Sequence, residues 1–152
     1  MPRIVPRREN MTPDMDREKL EHIAQRYGLD MVVVFGSQAT GRAGPGSDVD
    51  VAVRMRHRDW DNPEVELNLI GELVEALGEN HDVDVAFLNG ATPLLLFEVA
   101  RTGIPVYQRE PTTFFEFQSY AARRYYDHQK FLTWQSTYLR KRVQEWRQST
   151  ST

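Results

Sequence analysis

Three stretches of the chain, residues 31–35, 48–54 and 82–88, are rich in valine and too short for ordinary helices, and they restrict the possible folds most. Residues 31–35 form a continuous apolar run, which suits a strand buried on both faces. Residues 48–54 alternate strictly, with Asp48, Asp50 and Ala52 on one side and Val49, Val51 and Val53 on the other. A period of two is the signature of a strand. Residues 82–88 repeat it, setting Asp82, Asp84 and Ala86 opposite Val83, Val85 and Phe87.

Helical periods separate these strands. Thr12 is an expected N-cap with Pro13 at the first helical position, and Leu20, Ile23, Ala24 and Tyr27 follow at helical spacing before Gly28. Pro63 opens a second helix whose face is expected to hold Leu67, Ile70, Leu73, Val74 and Leu77, with Gly78 closing it. Thr92 and Pro93 open a third, stopped by Gly103, and residues 104–108 make a last short strand. This order predicts an α/β fold, a mixed sheet of about four strands covered by helices. Residues 1–11 lack periodicity and are expected to be a disordered leader, with a domain over 12–111 and a C-terminal helical segment over 112–152.

That last segment contains no glycine or proline, so it predicts one long helix or a helical hairpin. A straight helix over residues 114–147 would measure roughly 50 Å. A body of about 110 residues has a radius of gyration near 13 Å. An unbroken helix would therefore project as an interaction arm. Residues 1–111 carry 12 basic and 19 acidic side chains, whereas residues 112–152 carry 7 and 3, along with 10 of the 16 aromatic residues. A basic, aromatic arm on an acidic body fits an acidic protein partner better than nucleic acid, whose phosphates the body would repel. Phe114, Phe117, Ala121, Tyr125, Phe131, Tyr138 and Trp146 lie roughly along one stripe, with Arg and Lys between them, and aromatics with arginine are typical of interface cores.

The 152 residues include no cysteine, which excludes a disulfide framework, a thiolate zinc site and a cysteine nucleophile. Arginines near the N-terminus lead into no apolar segment, and no run approaches the roughly 20 residues that span a bilayer. A cytoplasmic protein is expected. His22, His57, His81 and His128 are isolated and suggest no metal site. Arg54, Arg56, His57 and Arg58 form a small basic cluster that reads either as a solvated loop or as a contact for a leaving pyrophosphate.

The chemistry concentrates between Gly36 and Asp84. Gly36 and Ser37 at the end of a buried strand would let backbone amides and a hydroxyl approach a phosphate. Asp48 and Asp50, two apart on a strand, point to the same side about 6.5–7 Å apart along the backbone. Their tips can converge on a divalent metal with oxygen ligands, which suits Mg²⁺ shared with substrate phosphates. Asp84, on another strand, could supply a third carboxylate. Three acids on one face repel one another unless metal neutralises them, and that cost favours a two-metal phosphoryl or nucleotidyl transfer site.

Gly36, Ser37, a ten-residue spacer, then Asp48, Val49 and Asp50 resemble the GSX10DXD signature of the minimal nucleotidyltransferases, a branch of the DNA polymerase β-like superfamily. The resemblance extends from about Asp30 to Tyr107, with Asp84 at the place of the third carboxylate and Gly103 to Tyr107 similar to the closing G-x-x-x-Y strand. The chain departs from many relatives in carrying Gln38 and Thr40, with its first following arginine at Arg42. The resemblance implies the polymerase β-like fold, ATP as substrate, Mg²⁺, and transfer of a nucleoside monophosphate with loss of pyrophosphate. It implies that Asp48, Asp50 and Asp84 are catalytic and bind metal, and that Gly36, Ser37 and Ser47 bind the nucleotide. Stand-alone chains of this size resemble the antitoxins of HEPN–MNT modules, type VII-like toxin–antitoxin systems. That implies AMP transfer to a tyrosine of a HEPN-family toxin, an all-helical ribonuclease, within a hetero-oligomer. Two other readings are a binding-only antitoxin and a nucleotidyltransferase acting on a small molecule.

Overall fold

The structure, a computed structural model, describes residues 3–4, 15–36, 48–56, 62–78 and 82–151. Strand β1 is Arg3–Ile4. Helix α1, Arg17–Tyr27, starts where the Asp16 side chain accepts the Lys19 amide at 3.0 Å, four residues later than the expected cap at Thr12, which lies outside the described residues. Gly28, in left-handed backbone at φ 63°, ends it. Strands β2, Leu29–Phe35, and β3, Val49–Met55, then pair antiparallel.

Helix α2, Pro63–Leu77, is capped by Asn62, whose side chain accepts the Glu64 amide at 3.1 Å. It leads to β4, Val83–Phe87. Helix α3, Pro93–Thr102, is capped by the Thr92 hydroxyl and followed directly by β5, Ile104–Gln108. One unbroken helix, α4, Thr113–Thr150, completes the chain, so of the two expected forms the single helix is the one observed.

The sheet order is β1-β5-β2-β3-β4, with β3 and β4 parallel and the other pairs antiparallel. This is the expected mixed α/β sheet with one addition. Two residues of the expected leader pair with β5, as Arg3 with Gln108 and Ile4 with Tyr107, making a fifth strand too short for periodicity to reveal. The remaining leader residues lie outside the described ones.

The sheet's two faces build two cores. Val32, Val34, Val49, Val51 and Val53 pack with Leu20, Ile23, Leu69 and Leu73 beneath α1 and α2. Met31, Val33 and Ala52 pack with Leu96, Val99, Phe117 and Ala121 beneath α3 and α4. Fully burying each such aliphatic side chain contributes about 1.5–3 kcal/mol.

The expected face of α2 is corrected by the structure. Leu69, Leu73, Ala76 and Leu77 are buried, whereas Leu67 is 70% exposed and Val74 37%. The helix is apolar over more than one face, so its period alone admits two rotations. Past the sheet, Asn89 extends the hydrogen bonding: its Oδ1 accepts the Met55 amide at 2.8 Å and its Nδ2 donates to the Met55 carbonyl at 2.9 Å. Among the described residues no helix is long and apolar enough to cross a membrane.

Candidate active site

Alternation puts Asp48, Asp50, Ala52 and Arg54 on the α3/α4 side of the sheet, because their valine neighbours fill the opposite core. The parallel register sets Asp50 opposite Asp84, and Ala52 opposite Ala86. Neighbouring strands lie about 4.8 Å apart, so these two carboxylates rise from adjacent points of one face. Asp48 and Asp84 are exposed and Asp50 is partly covered. Asp84 and Asp48 thus lie near enough to Asp50 for their charges to act on it. Withdrawal from water, then the negative charges of Asp84 and Asp48, hold the Asp50 carboxyl above its ordinary range.

Gly36 closes the site from the β2 side. Phe35 pairs with Asp50, and the next residue, Gly36, turns away at φ 72°. A Cβ at Gly36 would stand 2.5 Å from Asp50 Oδ2. Whatever it does for a phosphate, the glycine leaves space for the Asp50 carboxylate itself. Ser37, Ser47, Gln38, Thr40 and Arg42 lie outside the described residues.

Arg54 does not join this cluster. It lies four residues along β3 from Asp50, roughly 13 Å at strand rise. There its Nε meets Asp30 Oδ2 at 3.3 Å, and its guanidinium carbon lies 5.6 Å from the centre of the Phe117 ring. It ties α4 to the sheet, a role that no local pattern announces because Asp30 and Phe117 are distant in sequence.

The donor set tests for a cation. It offers only carboxylate oxygens, the chemistry of Mg²⁺ rather than of zinc or copper. Among the described residues no three acidic or histidine side chains are grouped so as to enclose an ion. The fit lies in the donor chemistry and in the repulsion at Asp50, which a cation would relieve.

Paired strand acids beside a glycine turn, on an α/β sheet of this order, define a nucleotidyltransferase class. The chain belongs to the polymerase beta nucleotidyltransferase family, whose model matches residues 18–112. It is 34% identical over 96 residues to the protein adenylyltransferase MntA of Aphanizomenon flos-aquae, a match covering 59% of this chain. That match spans 64% of the relative's own length. The fold is shared with a chain of a toxin–antitoxin crystal structure containing AMP-PNP, at a TM-score of 0.61 and 18% identity, covering 86% of this chain and 99% of the other. It is shared also with a chain from the complex of a tri-AMPylated Shewanella oneidensis HEPN toxin with an MNT antitoxin. There the TM-score is 0.55 and the identity 17%, covering 84% of this chain and 95% of the other.

Proposed function

We propose that this chain is a cytoplasmic antitoxin that acts as a protein adenylyltransferase, moving AMP from ATP to a tyrosine of a HEPN ribonuclease toxin and releasing pyrophosphate. The observation that carries this reading is the register of Asp50 with Asp84 beside the Gly36 turn. The relative's adenylyltransferase name and the AMPylated HEPN toxin in the structural neighbour support the acceptor class. Residues 12–111 would then be the catalytic domain and residues 112–152 the segment that holds the toxin.

Asp48, Asp50 and Asp84 would hold Mg²⁺, and Gly36 and Ser37, supported by Ser47, would hold the triphosphate. Bound Mg²⁺ supplies positive charge against the phosphates and the negative charge that grows on them. The tyrosine oxygen bonds to the α-phosphorus as the bond from that phosphorus to the bridging oxygen breaks, and pyrophosphate leaves. Asp84, exposed on its strand beside Asp50, would take the phenolic proton.

The test is the intact mass of a HEPN-family toxin after incubation with this chain, Mg²⁺ and ATP. A gain of about 329 Da per transfer, absent with the Asp48→Asn/Asp50→Asn double variant, is the expected result. An unchanged mass with co-purification would make the chain a binding-only antitoxin. An unchanged mass without binding would return the small-molecule reading.

A further inference from the structure

Among the described residues nothing covers the outer half of α4: residues 129–151 are all exposed. It is nevertheless apolar. Leu132, Leu139 and Trp146 recur every seven residues with Val143 beside them, extending the side of α4 that Phe117 and Ala121 bury against the sheet. Phe131, Trp134 and Tyr138 form a second stripe about a third of the way round, with the Trp134 and Tyr138 rings stacked at 5.7 Å. Together the stripes span about half the circumference, wider than the roughly 100° face one neighbour covers. The arm has room for two neighbours, and the toxin of the proposed function is one.

The first stripe is bordered on one side by Arg140 and Arg147 and on the other by Arg142, which already pairs with Glu145 at 3.9 Å, so its neighbour should be apolar with acids along the Arg140 and Arg147 side. The chain itself carries such a surface. On the solvent side of α2, Leu67 and Val74 are exposed with Gly71 between them, while Glu64 and Glu75 border one edge and Glu66 the other. Glu75 already holds Lys19 at 3.0 Å, whereas Glu64 and Glu66 make no ion pair among the described residues.

Gly71 is the second, independent observation. A mid-helix glycine costs about 0.5–1 kcal/mol relative to alanine. A Cβ at Gly71 would meet nothing within 4 Å, so nothing among the described residues requires its absence. A helix backbone laid closely across it would. The arm of the same chain cannot supply that helix, because α2 packs on one face of the sheet and α4 on the other. Lengths also agree: residues 132–146 span about 21 Å and α2 about 22 Å.

We propose that the arginine-bordered stripe of α4 docks across Gly71 on α2 of a second copy of this chain. The contact is reciprocal, so two arms and two α2 surfaces close a two-fold dimer. The uneven charge agrees, since acidic bodies repel each other while each attracts the other's basic arm. The proposal goes beyond the adenylyltransferase reading, and its test needs neither toxin nor nucleotide.

The full chain alone is examined by sedimentation velocity from about 1 to 100 µM, where a monomer–dimer equilibrium is expected. Gly71→Ala should raise the thermal midpoint of the dilute monomer yet weaken the dimer at least roughly tenfold. An Arg140→Glu/Arg147→Glu chain should not self-associate, but should pair with a Glu64→Arg/Glu66→Arg chain. Because the protein has no cysteine, a Gly71→Cys chain mixed with a Val143→Cys chain should yield a disulfide-linked pair on mild oxidation. A monomer throughout, a dimer indifferent to Gly71→Leu, or a dimer without that cross-link overturns the proposal.

Discussion

At Gly36, backbone and chemistry meet in one residue. Its left-handed φ and the 2.5 Å that would separate a Cβ from Asp50 Oδ2 make two separable demands. An L side chain in that conformation costs about 1–2 kcal/mol. The clash with Asp50 is relieved cheaply, by swinging a flexible carboxylate, but the carboxylate then leaves its place. Gly36→Ala should therefore lose about 1–2 kcal/mol in urea unfolding, while the proposed AMP transfer falls about a hundredfold. An active Gly36→Ala variant would show that the position of Asp50 is not needed. Part of this is legible in the sequence: the period of two fixes the side on which Asp48, Asp50 and Asp84 lie whatever the sheet order. The register of Asp50 with Asp84 is not legible, since it depends on where α2 returns the chain. The contact between Gly36 and Asp50 is hidden for the same reason, being a pairing across β2 and β3.

Elements fix how much change the fold tolerates. Between α3 and β5, Gly103 has an ordinary φ of −73°, but a Cβ there would collide with the Val99 carbonyl and the Val33 side chain. The contact is with backbone and a buried strand residue, so it cannot swing aside. Gly103→Ala should cost about 1–3 kcal/mol, visible as a lower thermal midpoint with unchanged spectra at low temperature.

On β5, Tyr107 is nearly fully buried, and burial first, then the negative charge of Glu21, push its phenol above the ordinary tyrosine value. The folded state thus keeps its proton longer than the unfolded chain does. The associated stability is complete below about pH 10 and is lost as pH rises through the raised value. Tyr107→Phe should flatten the fall in stability as pH rises above about 10, measured by urea unfolding at each pH. The caps at Asn62 and Thr92 are legible from residue type, and the rotation of α2 is not. Leu67 and Val74 satisfy a helical period as well as Leu69 and Leu73 do, and only packing against the sheet valines and α1 decides between them.

For the whole molecule, the body and the arm answer to different sources of stability. The body ends its claim on α4 near Tyr125, which stacks on Phe97 at 4.1 Å, and His128, the last half-buried residue. Beyond that point the helix has only its own propensity, whereas most helical stability in proteins comes from packing an apolar face. At dilution where the protein is monomeric, a chain ending at His128 should therefore unfold within about 3 °C of the full protein, because the lost residues bury nothing against the two cores. The arm should instead gain helix when covered. Far-ultraviolet circular dichroism should show excess helix on mixing full chain with toxin, and no excess with the shortened chain, which should also fail to hold the toxin. If the shortened chain still binds as tightly, the docking surface lies on the body, and the apolar arm must serve the second copy alone.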